Sequence, residues 1–377
     1  MTTDRIRSFL AERRPDGPCL VVDLDVVREN FNAFSRALPD TRIFYAVKAN
    51  PAPEILRLLT DLGSSFDTAS VTEILDVLAA GATPDRISFG NTIKKERDIA
   101  RAYELGVRLF AVDCIEEVDK IARVAPKARV FCRVLTDGVG ADWPLSRKFG
   151  CDAEMSVTVL EHAYRSGLTA TGVSFHVGSQ QRDTDAWDRA LGQAAGIFRT
   201  LAERGIQLTL VNLGGGFPTR YLKDVPVVGA YGEAIFGALR KHFGNRLPET
   251  IIEPGRGMVG SAGVIKTEVV LISRKSAEDP VRWVFLDIGK FGGLAETMDE
   301  AIRYPIRTPR DGGEMAPCVL AGPTCDSADV LYERDPYSLP IGLEIGDELL
   351  IESAGAYTTT YSAVGFNGFA PLASYVI

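Results

Sequence analysis

Eight short apolar runs alternate with stretches of helical composition between about residues 43 and 253, and this alternation limits the fold more than any other feature of the chain. The runs are Ile43–Val47, Ser65–Phe66, Ile87–Phe89, Leu109–Val112, Val130–Val134, Gly172–Phe175, Leu208–Leu213 and Thr250–Ile252. A strand buried on both faces reads as a continuous apolar run, and a parallel sheet is what buries both faces. Amphipathic stretches such as Val71–Ala80, Lys94–Leu105 and Ala186–Arg204 lie between the runs. Gly63, Gly81, Gly106, Gly167 and Gly205 sit where helix C-caps would fall. Eight such units suit a (β/α)8 TIM barrel, which typically needs about 200–250 residues. A doubly wound open sheet is the alternative, and it would spread the strand ends along a crevice instead of around a ring.

Beyond about residue 260 the texture changes. Val264–Leu271, Arg282–Leu286, Pro317–Leu320 and Glu348–Ile351 are β-rich, separated by Gly, Pro and Asp, and Leu20–Val22 has the same character. We therefore expect a barrel over residues 25–260 and a mainly β C-terminal domain built from residues 261–377 together with residues 1–24. A chain of 377 residues is long enough for two cores, since single cores seldom exceed about 250–300 residues.

The bulk properties exclude several classes of function. A net charge of −8 argues against a nucleic-acid footprint, though not against a cationic small molecule. The six cysteines show no CxxC pair and no regular spacing, which suggests reduced thiols and no bound metal. The first seventeen residues are rich in charge and lack the apolar segment of a secretory signal, and no apolar run reaches the ~20 residues of a membrane helix. A cytoplasmic protein without a membrane partner is the expectation.

The ends of the eight runs carry the polar chemistry: Lys48, Asp67, Asn91, Asp113, Arg133, His176, Gly214-Gly215-Gly216 and Glu253. In a barrel these ends meet on one face, where catalytic groups sit. Lys48 closes an apolar run; apolar surroundings would lower its pKa and leave a neutral nucleophile, although a surface lysine capping a strand is the plainer reading of that segment alone. Three consecutive glycines expose backbone N–H groups to an anion, or else form a flexible turn. Glu253-Pro254-Gly255-Arg256-Gly257 is a second small-residue turn, carrying both an acid and a base. Together the two turns would make a phosphate cup beside a carboxylate, and neither matches a nucleotide fingerprint. His176 is one of three histidines and stands either as a hydrogen-bonded core residue or on the active face. Cys325 and Asp326 form a turn that presents a thiol beside a carboxylate.

Eight motifs occur in order: YAVKAN (45–50), FDTAS (66–70), SFHVGS (174–179), NLGGGFP (212–218), EPGRG (253–257), GPTCDSAD (322–329), GAYT (355–358) and FNGF (366–369). In these the chain resembles the fold-type III, pyridoxal-phosphate-dependent basic amino acid decarboxylases, most closely those acting on ornithine or on both lysine and ornithine. The resemblance implies an alanine-racemase-type barrel with a β domain, pyridoxal 5'-phosphate as cofactor, and a homodimer with shared active sites. It implies that Lys48 holds the cofactor covalently. Gly214, Gly215, Gly216, Gly255, Arg256, Ser179 and Tyr357 would bind its phosphate. Glu253 would pair with the ring nitrogen, and His176 would stack on the ring. Asp67 and Arg133 would line the side where the substrate amine joins. Reaching into the partner subunit's site, Cys325 would protonate the α-carbon and Asp326 would grip the distal ammonium. The implied reaction is decarboxylation of L-ornithine to putrescine in polyamine biosynthesis, with L-lysine to cadaverine as a further reaction.

One region departs from the family pattern. The acid that sets substrate length falls within Phe291–Glu300, which is about one residue shorter here, so Asp299, Glu296 and Glu300 compete for the role. A solvated acidic helix end is the plain alternative. Diaminopimelate decarboxylase is the rival activity in this fold, but its turn normally carries Glu after the cysteine where this chain has Asp326. A non-catalytic, antizyme-inhibitor-like binding protein is the rival from another class, and retention of Lys48, His176, Glu253 and Cys325 argues against it.

Overall fold

The computed structural model describes residues 2–143 and 148–377. The chain divides into two units, one of Arg28–Pro218 with Val225–Met258, the other of the chain before Arg28, Thr219–Asp224 and Val259–Ile377.

The first unit is a closed barrel of eight parallel strands, which excludes the open doubly wound sheet. In chain order the strands are Thr41–Ala46, Ser65–Thr68, Ile87–Phe89, Leu109–Val112, Arg129–Val134, Thr169–Phe175, Leu210–Asn212 and Glu249–Ile252. Each pairs in parallel with the next, and the eighth closes on the first through Ile251↔Arg42 and Ile252↔Ile43. Phe44, Leu109, Ala111, Phe131, Leu210 and Ile251 form a buried cluster drawn from five of these strands. Contributions from that many strands show that the barrel interior is filled by side chains rather than open.

Local chemistry sets the helix ends. The helix Val71–Ala79 starts with a capping box: Ser70 Oγ accepts from Glu73 N at 3.2 Å, and Glu73 Oε2 accepts from Ala69 N at 2.6 Å. The five glycines expected as C-caps all have positive φ, from 79° at Gly167 to 95° at Gly106. No helix among the described residues is long and apolar enough to cross a membrane.

Lys94 departs from its expected place on an amphipathic helix, because that helix begins only at Glu96. Lys94 lies buried before it, with Nζ donating to the carbonyls of Asn91 (2.8 Å) and Ala111 (2.7 Å) and standing 3.0 Å from Glu117 Oε1. Three donors meet three acceptors, which is how an ammonium is tolerated inside. Asn91, one of the eight strand-end groups, is absorbed by this loop through its carbonyl.

The second unit is a nine-stranded sheet. Its backbone runs Ile306–Arg307, Glu348–Ile351, Gly263–Ser273, Arg282–Leu286, Met315–Ala321, Val330–Leu331. Tyr337–Pro340 pairs with Met315–Ala321, and Cys19–Val22 pairs antiparallel with the long strand. Ala373–Val376 adds to Cys19–Val22 in parallel, so both ends of the chain enter one sheet. A helix that the sequence pattern does not announce, Asp4–Arg13, occupies the N-terminal segment; Thr3 caps it, and Ile6 packs with Cys19, Val21 and Val264.

Burial holds the Lys94 ammonium down at about 8 despite Glu117. Between that value and the ordinary lysine range the unfolded chain binds a proton that the folded chain does not, so stability rises with pH across this window. We expect Lys94→Met to flatten that rise in denaturant titrations. Glu117→Ala, which strands the ammonium, is expected to cost about 3–5 kcal/mol. An unchanged unfolding midpoint in Glu117→Ala would contradict the role of the pair.

Candidate active site

Lys48 sits on a single 3-10 turn, Val47–Ala49, directly after the first barrel strand. The turn is braced by Tyr45 Oη, which donates to the Asn50 carbonyl at 2.8 Å, and by Ala46 N–H, which donates to the Pro254 carbonyl at 3.2 Å. The apolar run buries Val47 and Ala49 and leaves Lys48 exposed. The expectation of apolar surroundings for this amine is therefore corrected: the strand stops at Ala46, and the turn lifts residue 48 off the sheet.

Around this turn the barrel ends gather charge. Asp67, buried at the end of the second strand, accepts from Ser88 Oγ at 3.1 Å. Gly90 is required beside it, because a Cβ there would overlap the Asp67 carboxylate. Burial, then repulsion from Glu253, pushes the Asp67 carboxyl well above the usual range, with Lys48 opposing. Arg133, half-buried with its guanidinium 5.3 Å from the Phe149 ring, feels the opposite charges of Glu253, Asp67 and Asp113 against its own desolvation. Asp113 also accepts from Gly150 N at 2.9 Å.

His176 Nδ1 accepts the Gly178 N–H at 3.1 Å, so the neutral ring carries its proton on Nε2. That nitrogen faces Gly215, where a Cβ would lie 3.3 Å away. Burial first, then the charges of Arg133 and Lys48, hold His176 well below the usual imidazole value.

The glycine turn is a cradle that side chains would fill. Gly214 and Gly216 have φ of 67° and 100°. A Cβ on Gly215 would lie 2.8 Å from the Glu253 carbonyl, and one on Gly216 would lie 2.5 Å from that of Gly178. Gln181 N–H holds the Gly216 carbonyl at 2.9 Å, and Arg256 donates to Ser179 Oγ at 3.2 Å. The Asn212 side chain joins cradle and carboxylate: Oδ1 accepts from Gly214 N at 2.9 Å, and Nδ2 donates to Glu253 Oε1. Asn212 opens the NLGGGFP motif, yet the sequence assigns a role only to the glycines after it, because its bond to Glu253 appears only when the strands pair.

The structure thus brings together Lys48, Asp67, Arg133, His176, Ser179, Gly214–Gly216, Glu253, Gly255 and Arg256 in the barrel unit. Tyr357, Cys325, Asp326, Asp299 and Glu296 belong to the second unit. There Cys325 and Asp326 are exposed, with Cys325 N–H donating to Asn367 Oδ1 at 3.1 Å. Residues 295–300 are 3-10 turns broken at Met298 and Asp299, not a regular acidic helix. Tyr357 has a left-handed backbone, φ 62°. All six cysteines are free, and folding brings Cys132 and Cys151 within 3.5 Å, a pairing the spacing does not reveal.

A family model described as "Pyridoxal-dependent decarboxylase, pyridoxal binding domain" matches residues 24–260. The chain belongs to this family. It is 39% identical over 362 residues to the lysine/ornithine decarboxylase of Selenomonas ruminantium, covering 96% of this chain and 89% of that one. The crystal structure of the Selenomonas ruminantium lysine decarboxylase with PLP and cadaverine superposes with a TM-score of 0.89 at 35% identity, covering all of this chain and 94% of the other. The Vibrio vulnificus lysine/ornithine decarboxylase with cadaverine gives a TM-score of 0.88 at 30% identity over the full length of both chains. The protein is a fold-type III, pyridoxal-phosphate-dependent decarboxylase of the basic amino acid family, and pyridoxal phosphate is its cofactor. The donor set fits that group, because a side-chain-free cradle with a guanidinium and a hydroxyl suits a phosphate, and the carboxylate suits a protonated ring nitrogen.

For His176, the folded chain stays neutral where the unfolded chain takes a proton, so this group's contribution to stability is lost as pH falls below about 6.5. We expect the His176 imidazole signals in NMR to show the neutral, Nε2-protonated form as pH is lowered through that value. Titration at the ordinary value would contradict the buried, cation-flanked setting.

Proposed function

We propose that this chain decarboxylates L-ornithine to putrescine, with L-lysine to cadaverine as a second reaction, as a cytoplasmic homodimer with shared active sites that serves polyamine synthesis. The division into a cofactor-binding barrel over residues 25–260 and a β domain from residues 1–24 and 261–377 belongs to the same reading. The observation that carries it is the joining of a carboxylate, a glycine cradle and a neutral imidazole around the turn that presents Lys48. Relatives that carry ornithine or lysine in their names, and neighbours holding cadaverine, support the substrate class.

Bound cofactor supplies the electron sink that takes the pair left when the substrate carboxylate departs as CO₂. Lys48 would hold the cofactor through its side-chain amine, and that amine, presented on the turn after the first barrel strand, would be the group the substrate amine exchanges with. Gly214, Gly215, Gly216, Gly255, Ser179, Arg256 and Tyr357 hold the phosphate. Glu253 keeps the ring nitrogen protonated. His176 stacks on the ring, and its neutrality avoids setting a second cation against a protonated ring. Asp67 and Arg133 line the side where the substrate amine enters.

Cys325 delivers a proton to the α-carbon, and Asp326 grips the distal ammonium, both in the partner subunit's site. Their exposure on this chain suits work on another copy. Among the competing acids, Glu300 is committed, because it accepts from Arg334 N at 2.6 Å and pairs with Arg303 at 3.1 Å. Asp299 is exposed, with Arg334 only at 3.5 Å, so it is the acid we assign to the distal amine; the buried Glu296 stands behind it.

Lys48→Ala is expected to lower diamine formation by ~1,000-fold or more, and substantial residual turnover would sink the assignment. Cys325→Ala is expected to retain the cofactor's visible absorbance, slow decarboxylation about 100-fold and divert product towards transamination; unchanged rate and product ratio would refute its role. Comparing kcat/KM for ornithine, lysine, arginine and diaminopimelate tests the substrate. Ornithine should lead lysine by about 10–200-fold, the worth of one methylene, and a lead for diaminopimelate would overturn the reading.

A further inference from the structure

Asn212 ends the seventh barrel strand and is fully buried. Both ends of its amide are committed, the oxygen to the Gly214 N–H and the nitrogen to Glu253 Oε1. These two bonds fix which way the amide faces, because its oxygen has no hydrogen to give Glu253 and its nitrogen has no lone pair for Gly214. The backbone repeats the link, since Glu253 N–H donates to the Gly214 carbonyl at 2.8 Å. The residue between is also held: Trp187 Nε1 donates to the Leu213 carbonyl at 3.2 Å. Residues 212–214 and 253 therefore form one braced unit across two neighbouring strands. With Oε1 engaged by the amide, the other carboxylate oxygen of Glu253 is left to meet a ligand.

We propose that Asn212 is a positioning residue for the decarboxylation: it turns the Glu253 carboxylate towards the cofactor's ring nitrogen and fixes it in register with the cradle that takes the phosphate. The two ends of the cofactor are thereby gripped at a set separation. An amide suits this task better than an acid, because a second carboxylate against Glu253 would have to share a proton with it. Asp67 already sets one carboxyl group against Glu253. This inference rests on the reading of Glu253 as the partner of the ring nitrogen.

The test uses holoenzyme loaded with pyridoxal phosphate labelled with 15N in the ring, whose chemical shift reports whether that nitrogen is protonated. Asn212→Leu keeps the volume and removes both bonds. We expect its ring-nitrogen signal to move towards the unprotonated position, in the same direction as Glu253→Gln, with kcat about tenfold lower and KM changed less. If Asn212→Leu does not fold, Asn212→Ser is read in the same way. A signal at the wild-type position in the folded Asn212 variant, while Glu253→Gln moves it, overturns the positioning role alone. A signal unmoved in Glu253→Gln overturns the reading of Glu253, and the role of Asn212 with it.

Discussion

Closure of eight parallel strands into a ring is the constraint on which everything at the site depends. Because all strands run the same way, their carboxyl ends must share one face, and residues far apart in sequence become neighbours without any long-range signal between them. Lys48 and Pro254 illustrate this. They are separated by some two hundred positions, yet the first and eighth strands pair, and Ala46 N–H bonds directly to the Pro254 carbonyl. The cradle and its carboxylate come together in the same way, through the pairing of the seventh and eighth strands.

That gathering would be unfavourable if each group kept its ordinary charge. Two carboxyl groups, Asp67 and Glu253, lie close enough to repel, and Lys48 and Arg133 compensate. His176 stays neutral, because burial penalises its cation first and a further cation would face both Arg133 and Lys48. Burial sets the direction of the shift at Asp67, Arg133 and His176, and the neighbouring charges add to it or oppose it. Such strongly perturbed groups at strand ends are what a catalytic site requires, and they contrast with the exposed ion pairs elsewhere on the chain.

The barrel is legible in the sequence because continuous apolar runs and glycine caps are direct consequences of a parallel sheet covered on both faces. Ile87–Phe89, Leu109–Val112, Arg282–Leu286 and Glu348–Ile351 fall where the runs place them. Less legible are features decided by packing. Lys94 reads as the start of an amphipathic helix, and only the fold shows three acceptors closing around it. Lys48 reads as the end of a buried strand, and a local turn exposes it. The helix Asp4–Arg13 has little apolar periodicity to announce it, and the strand Ala373–Val376 depends on a partner at the other end of the chain. Asn212 opens the NLGGGFP motif, but the motif assigns it no role, since its importance lies in a bond across to the neighbouring strand.

Lys48 as the cofactor's anchor is tested most directly by reducing the holoenzyme with borohydride, digesting it and locating the phosphopyridoxyl-lysine by mass spectrometry. The modification is expected on the peptide containing Lys48. Its appearance on Lys94, or on any other lysine, would contradict the placement of the cofactor at the end of the first barrel strand.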